Sequence, residues 1–328
     1  MPVSMTERYA RQMLLPQVGT QGQARLAQAH VLVVGAGGLG CAVLPYLAAA
    51  GVGRLSLVDP DRVDESNLHR QPLYRMNDLG ALKVEAAAAA LGALNPQVSV
   101  TGLAQRLTAD NAPALVSQAD IVLDAADSFA VTYVLSDTCQ EAGKALVSAS
   151  VLGLSGYVGA FCAGAPSYRA VFPELPRAAG SCAHSGVLGT AVGVMGTLQA
   201  HLTLALLLGL EPSPLGRLLS VDFNSLRVGG FSFSGATEPS GAPLRFIGPR
   251  QVAAEDVVID LRSVSEVAQP AFPGALRLDL ESLERAAPQV PPAVRVVLCC
   301  RSGVRAWRAA RALQKHGHAN VALVALGE

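Results

Sequence analysis

Residues 31–59 of this chain fit one arrangement above others: a strand, a glycine turn, a helix and a second, parallel strand. VLVV (Val31–Val34) is a β-branched run suited to a buried strand. Gly35, Gly37 and Gly40 follow with GxGxxG spacing, CAVLPYLAAA is apolar and helix-compatible, and Gly51 suits its C-cap. RLSLVDP then reads as a strand ending in Asp59, about 20 residues beyond the loop, where a carboxylate takes ribose hydroxyls. The glycine pattern alone leaves a nicotinamide dehydrogenase and other nucleotide-binding classes open.

The 328 residues suffice for two domains, and at 51% hydrophobic they can bury a large core. Equal numbers of basic and acidic residues, 25 each, suggest neither a nucleic-acid nor an acidic-membrane partner. MPVSMTERYARQ has no signal-peptide apolar region, and the six cysteines lack disulfide-framework spacing, so a cytoplasmic location is expected. Val187–Leu210 carries no formal charge and is long enough to span a bilayer. Gln199 and His201 lie within it and no Lys/Arg cluster flanks it, which favours a buried core or subunit-interface helix.

Strand-like VLVV, RLSLVD, VSVTGL and IVLDAAD alternate with Ala-rich helical stretches, the pattern of a doubly wound α/β sheet. Ala145–Ala163 reads as two more strands with a turn near Gly153. The Gly/Ser/Pro-rich stretch that follows residue 228 reads as a linker or irregular crossing. Beyond it, DVVIDLR and VRVVLCC are strands and GVRAWRAARALQKHG a helix. The expected division is 1–228, a linker at 229–249, and a small α/β unit at 250–328.

DPDRVDESNLHRQ places Asn67 and Arg70 near the glycine loop, Lys83 opens a helix, and Asp127 falls just past a strand end, where α/β sheets bind ligands. Arg8 and Arg11 lie upstream. Several cations and a carboxylate around one phosphate site suit phosphoryl or nucleotidyl transfer with Mg²⁺, and hydride transfer has no need of them. Other readings of these residues are an amphipathic N-terminal helix, a surface lysine and a helix N-cap.

RYARQMLLP, VVGAGGLGC, AGVGRLSLVDPDRVDESNLHRQ, DAADS and SCAHSGVLG, in this order, resemble the sulfur-carrier-protein adenylyltransferases. That family includes the molybdopterin-synthase and thiamine-sulfur-carrier adenylyltransferases and shares ancestry with ubiquitin-activating enzymes. The resemblance covers residues 5–228 and implies a Rossmann-like sheet of the ubiquitin-activating type, with the glycine loop as an ATP cradle. It places Gly35, Gly37, Gly38, Gly40, Asp59, Ser66, Asn67, Leu68, Arg70, Lys83, Asp127 and Ser128 at the nucleotide, with Asp127 on Mg²⁺. It implies a homodimer in which Arg11 reaches into the partner's site, and a small ubiquitin-like sulfur carrier as substrate.

Three departures from the family stand out. The first of two expected zinc-binding CxxC pairs reads SYRA (Ser167–Ala170) and no CxxC follows in the linker, so no tetrahedral zinc is expected. Ser128 stands where relatives have Asn, and Leu202 and Ala205 where they have Glu and Lys. Cys182 aligns with a cysteine that in some members links covalently to the carrier, with His184 and Gly180 near it. Cys41, Cys139 and Cys162 read as core.

The tail resembles an abbreviated rhodanese domain. CRSGVR closes a strand and opens a helix, so backbone N–H groups and the helix dipole favour an anion at the cysteine. Cys300, Arg301, Ser302, Gly303, Val304 and Arg305 form the expected persulfide loop. Counted from Cys299 the loop is one residue longer, the size of a related phosphatase loop. The expected activity is ATP-dependent adenylylation of the carrier's C-terminal glycine, with sulfur from a desulfurase or thiosulfate passing through Cys300. A non-catalytic carrier-binding relative and a dehydrogenase are the alternatives.

Overall fold

The computed structural model describes residues 5–175, 186–241, 243–285, 290–291 and 293–327. An eight-stranded sheet runs β3-β2-β1-β4-β5-β6-β7-β8. In chain order these are β1 (His30–Val34), β2 (Arg54–Val58), β3 (Ser99–Leu103), β4 (Ile121–Asp124), β5 (Ala145–Leu152), β6 (Ser155–Cys162), β7 (Arg217–Asp222) and β8 (Arg227–Ser232). Strands β3 to β5 pair in parallel and β5 to β8 antiparallel. Alternation along β1 sends Val31 and Val33 to one face and Leu32 and Val34 to the other. The first face packs the Gly38–Ala50, Lys83–Leu94 and Gly189–Leu208 helices, and the second packs Ala112–Ser117 and Phe129–Ala142.

The long apolar helix is Gly189–Leu208, and half of its apolar window is buried inside the protein. It lies against the Gly38–Ala50 helix and against β5 and β6. Its buried Gln199 donates to the carbonyls of Asp124 and Val147, and Thr203 back-bonds to Gln199. Gln199 thereby cross-links the core helix to the last residue of β4 and to β5.

The second sheet is parallel throughout, in the order β11-β10-β12-β13-β9. It comprises β9 (Arg245–Phe246), β10 (Val257–Asp260), β11 (Leu276–Arg277), β12 (Val296–Cys300) and β13 (Val321–Ala325), with the Val304–Lys315 helix against it. The stretch expected to be linker is more structured than its composition suggests. Strand β8 carries the first sheet on to Ser232, and β9 pairs in the second. Both escape sequence reading, β8 because its glycines and serine give no apolar period and β9 because it is only two residues long. At Gly230 the reason is local, since a Cβ would lie 2.6 Å from the Leu218 carbonyl on β7.

The core does not stop between the two sheets. Leu32, Val122 and Tyr133 belong to the same apolar cluster as Phe246, Ile259, Leu298 and Trp307. The Tyr133 and Trp307 rings meet at a tilt of 38°, with centroids 5.0 Å apart. The buried Arg169 guanidinium lies 4.6 Å from the Tyr133 ring and 5.9 Å from Trp307. It forms two hydrogen bonds with Asp137, at 2.5 and 2.9 Å, and a third to the carbonyl of Leu244. Beside it, Ser167 donates its N–H and hydroxyl to the two carboxylate oxygens of Glu238, each at 2.6 Å. These are the residues of the SYRA stretch where the first cysteine pair was expected.

Candidate active sites

Strands β1, β2 and β4 end on one edge of the large sheet, and there the glycine loop turns into the Gly38–Ala50 helix. A Cβ at Gly40 would collide with the Gly35 carbonyl, so only glycine lets the turn close this tightly. Asp59, at the end of β2, accepts hydrogen bonds from the N–H groups of Ala36 (2.7 Å) and Asp61 (2.8 Å). It thereby fixes the loop's shape while burial pushes its carboxyl above the usual range. The turn of Glu65–Asn67, N-capped by Asp64, brings Arg70 beside Gly38. The Arg70 guanidinium donates to Asn67 Oδ1 at 2.7 Å and meets His69 Nε2 at 2.7 Å. Leu68 is half-buried against the core and Ser66 is exposed, bonded to Asp64.

Lys83, the first residue of its helix, is buried and pairs with Asp61 Oδ2 at 3.0 Å. The partner went unseen in the sequence, where Asp61 is one acid in a polar run. Asp127 is exposed in the loop after β4, and Ser128 N-caps the next helix by backbone position without a side-chain bond. Gly35, Gly37, Gly38, Gly40, Asp59, Asn67, Arg70, Lys83 and Asp127 therefore gather along one sheet edge.

Asp124 is a residue that sequence reading passed over. Fully buried at the end of β4, it accepts from Thr132 Oγ1 (2.7 Å) and Ser148 Oγ (2.9 Å), and desolvation raises its pKa to about 6. In sequence it is merely the last polar residue of a strand. Arg11 sits elsewhere. Its neighbours Tyr9 and Gln12 bond to Asn95 and to the Ala50 carbonyl, at the C-terminal end of the Gly38–Ala50 helix. Twelve helical rises separate that end from Gly38, about 18 Å. Cys182, His184 and Gly180 lie outside the described residues. Cys41, Cys139 and Cys162 are buried.

In the second unit, both Cys299 and Cys300 are buried at the end of β12. Their surroundings differ. The Gly303 N–H points at the Cys300 sulfur, 3.2 Å away, at the head of the Val304–Lys315 helix. Cys299 faces Asp260, and burial, with that carboxylate adding to it, pushes its thiol up to about 12. Asp260 is held by Arg262 at 2.8 Å. Arg305 is gripped by Glu266 and donates to the Leu261 carbonyl. Arg301 and Ser302 are exposed.

The ThiF family profile matches residues 9–239, most of the chain, and a rhodanese-like domain matches residues 250–327. The chain belongs to the ThiF family. It is 42% identical over 320 residues to the bovine (Bos taurus) adenylyltransferase and sulfurtransferase MOCS3, covering 85% of this chain and 70% of that one. It is 46% identical over 224 residues to the sulfur carrier protein adenylyltransferase of Thermus thermophilus, covering 66% of this chain and 83% of that one. Other curated relatives are matched over less than half of their length. A crystal structure of E. coli MccB with ATP shares the fold, with TM-score 0.61 at 21% identity, covering 71% of this chain and 73% of that one. Membership of the ThiF family sets aside the dehydrogenase alternative.

Proposed function

We propose that the chain adenylylates the C-terminal glycine of a ubiquitin-like sulfur carrier and then supplies sulfur from a Cys300 persulfide. One observation carries this: a glycine-loop crevice lined by Arg70, Lys83 and Asp127 shares a chain with a cysteine placed under a helix N-terminus. ATP is the co-substrate. The carrier carboxylate attacks the α-phosphate, pyrophosphate leaves, and an acyl-adenylate remains. Arg70 and Lys83 offset charge on the phosphates, and losing one such contact costs ~3 kcal/mol, about a hundredfold in rate.

Mg²⁺ fits the donor set, since one carboxylate with phosphate oxygens is its ordinary environment. Asp127 is the exposed carboxylate, while Asp124 is engaged by Thr132 and Ser148. Among the described residues no cluster of three His, Cys, Asp or Glu gathers as a metal site. Held by Asp127, Mg²⁺ would neutralise triphosphate charge. The distance of Arg11 from its own glycine loop supports a homodimer in which it serves the partner's crevice. Among the described residues, five buried free thiols support a cytoplasmic location. The sulfur donor is a cysteine desulfurase or thiosulfate.

Carrier-dependent pyrophosphate–ATP exchange tests the reading. Exchange is expected from the wild-type chain, and its loss from Asp127→Ala with weak ATP binding retained. Carrier binding without exchange would instead make this a non-catalytic relative.

A further inference from the structure

The loop around Cys300 does not face away from the first sheet. A Cβ at Gly303, whose N–H serves the Cys300 sulfur, would lie 2.5 Å from the Phe246 ring and 3.4 Å from Ala130 Cβ. Ala130 follows Asp127 by three residues, at most about 11 Å of chain. On the same side, the Gly327 N–H donates to the Arg301 carbonyl at 2.8 Å, and Gly327 packs on the Arg106 guanidinium in the loop after β3. The Arg250 N–H donates to Asp110 of that loop. The persulfide loop thus rests, through Gly303, on the first turn of the Phe129–Ala142 helix, and Gly327 and Arg250 beside it rest on the 104–111 loop; both segments leave the nucleotide edge of the large sheet.

The connection between the units is tied down as well. Only residues 233–244 separate β8 from β9. Within them Glu238 is held by Ser167, and the Leu244 carbonyl by buried Arg169. On the far side of the joint Glu174 pairs with Arg311 and accepts from Trp307 Nε1. Swinging the small unit toward another subunit would break these contacts together and expose the Tyr133–Trp307 ring pair to water.

We propose that the Cys300 loop and the nucleotide crevice of one chain form a single compartment, so that sulfur passes in cis. This rests on the adenylation and persulfide reading above. The terminal sulfur of the Cys300 persulfide anion bonds to the carbonyl carbon of the acyl-adenylate made by the same chain. The bond from that carbon to the AMP oxygen breaks, and AMP leaves with the electron pair. The product is an acyl disulfide joining the carrier to Cys300, with no net oxidation in the step. Because Cys300 is fully buried, the carrier's tail enters by parting Gly303 from Phe246 and Ala130.

The test uses the full chain, loaded with sulfur from thiosulfate, then given ATP and a purified ubiquitin-like sulfur carrier with a free C-terminal glycine. The thiol-sensitive carrier–enzyme adduct is followed by intact mass. Asp127→Ala and Cys300→Ala chains, each unable to form the adduct alone, are expected to give no more than a few per cent of the wild-type rate when co-expressed. Differently tagged chains recovered together establish that they mix. Adduct restored in the mixture overturns cis transfer. Carrier-dependent pyrophosphate exchange by the wild-type chain is expected in the same preparation. Its absence would remove the adenylation reading itself and this proposal with it.

Discussion

Glu266 holds Arg305 through both terminal nitrogens, Oε1 accepting from Nη2 at 2.6 Å and Oε2 from Nη1 at 2.7 Å. The Ser263 N–H braces the same carboxylate at 2.9 Å, and the guanidinium holds its pKa down to about 2. Arg305 also interacts with the Cys300 thiol. Glu266 therefore positions the cation beside the sulfur without touching it. Glu266→Gln is expected to slow persulfide loading from thiosulfate about tenfold, the effect of losing roughly 1–2 kcal/mol of charge-assisted bonding. Pyrophosphate exchange should not change, and Glu266→Asp should recover part of the loss. Unaltered loading in the glutamine variant would show that Arg305 needs no such brace.

The two adjacent cysteines should separate cleanly. Cys300→Ala loses persulfide formation and keeps adenylation. Cys299→Ala keeps both, with a stability loss of about 1 kcal/mol, since its thiol fills space beside Asp260. Sulfur transfer that survives without Cys300 and fails without Cys299 would assign the larger loop, and phosphatase activity would be measured next.

Arg11→Ala and Arg70→Ala chains, each inactive alone, should recover activity when mixed. If Arg11 acts across a dimer, each mixed dimer has one site with both arginines. Exchange measured on the mixture, with subunit mixing verified by tags, decides this. No recovery would place Arg11 in its own subunit's chemistry, despite the Gly38–Ala50 helix between them.

Asp124 makes a pH prediction. Its folded pKa, about 6, lies above the unfolded value of about 3.9, so the folded state binds the proton more tightly. Stability from this group is complete below pH ~4 and is lost as pH rises through 6. The two-unit shift sets an upper bound of about 3 kcal/mol. Asp124→Asn cannot titrate. The wild-type minus variant difference in unfolding free energy should therefore fall between pH 4 and 7 and then level. A difference flat over that range would mean the carboxylate stays ionised inside the sheet.

Much of the fold was legible because apolar period and glycine spacing are local signals. Val31–Val34, Gly35–Gly40 and Asp59 announce a strand, a turn and a strand end without outside help. The Cys300 loop was visible through the tail's resemblance to a rhodanese domain, carried by CRSGVR at a strand-to-helix junction. What stayed hidden depends on partners far along the chain. Asp61 reads as a surface acid until Lys83 folds onto it, and Asp124 as a strand residue until Thr132 and Ser148 enclose it. The joint was the least visible feature. Arg169, Tyr133 and Trp307 come from three separated segments, and no period in any of them points to the others.

The Ser167–Glu238 and Arg169–Leu244 bonds also bear on how such a chain survives its own chemistry. A clasp of zinc and thiolates would stand within reach of sulfide, persulfides and oxidants, each able to strip or modify its sulfur ligands. A clasp of hydroxyl, carboxylate and guanidinium offers those reagents nothing to attack. It asks nothing of the cell's zinc supply, and chelators should leave it closed. Reactive sulfur can then be handled beside the joint of the molecule without corroding it.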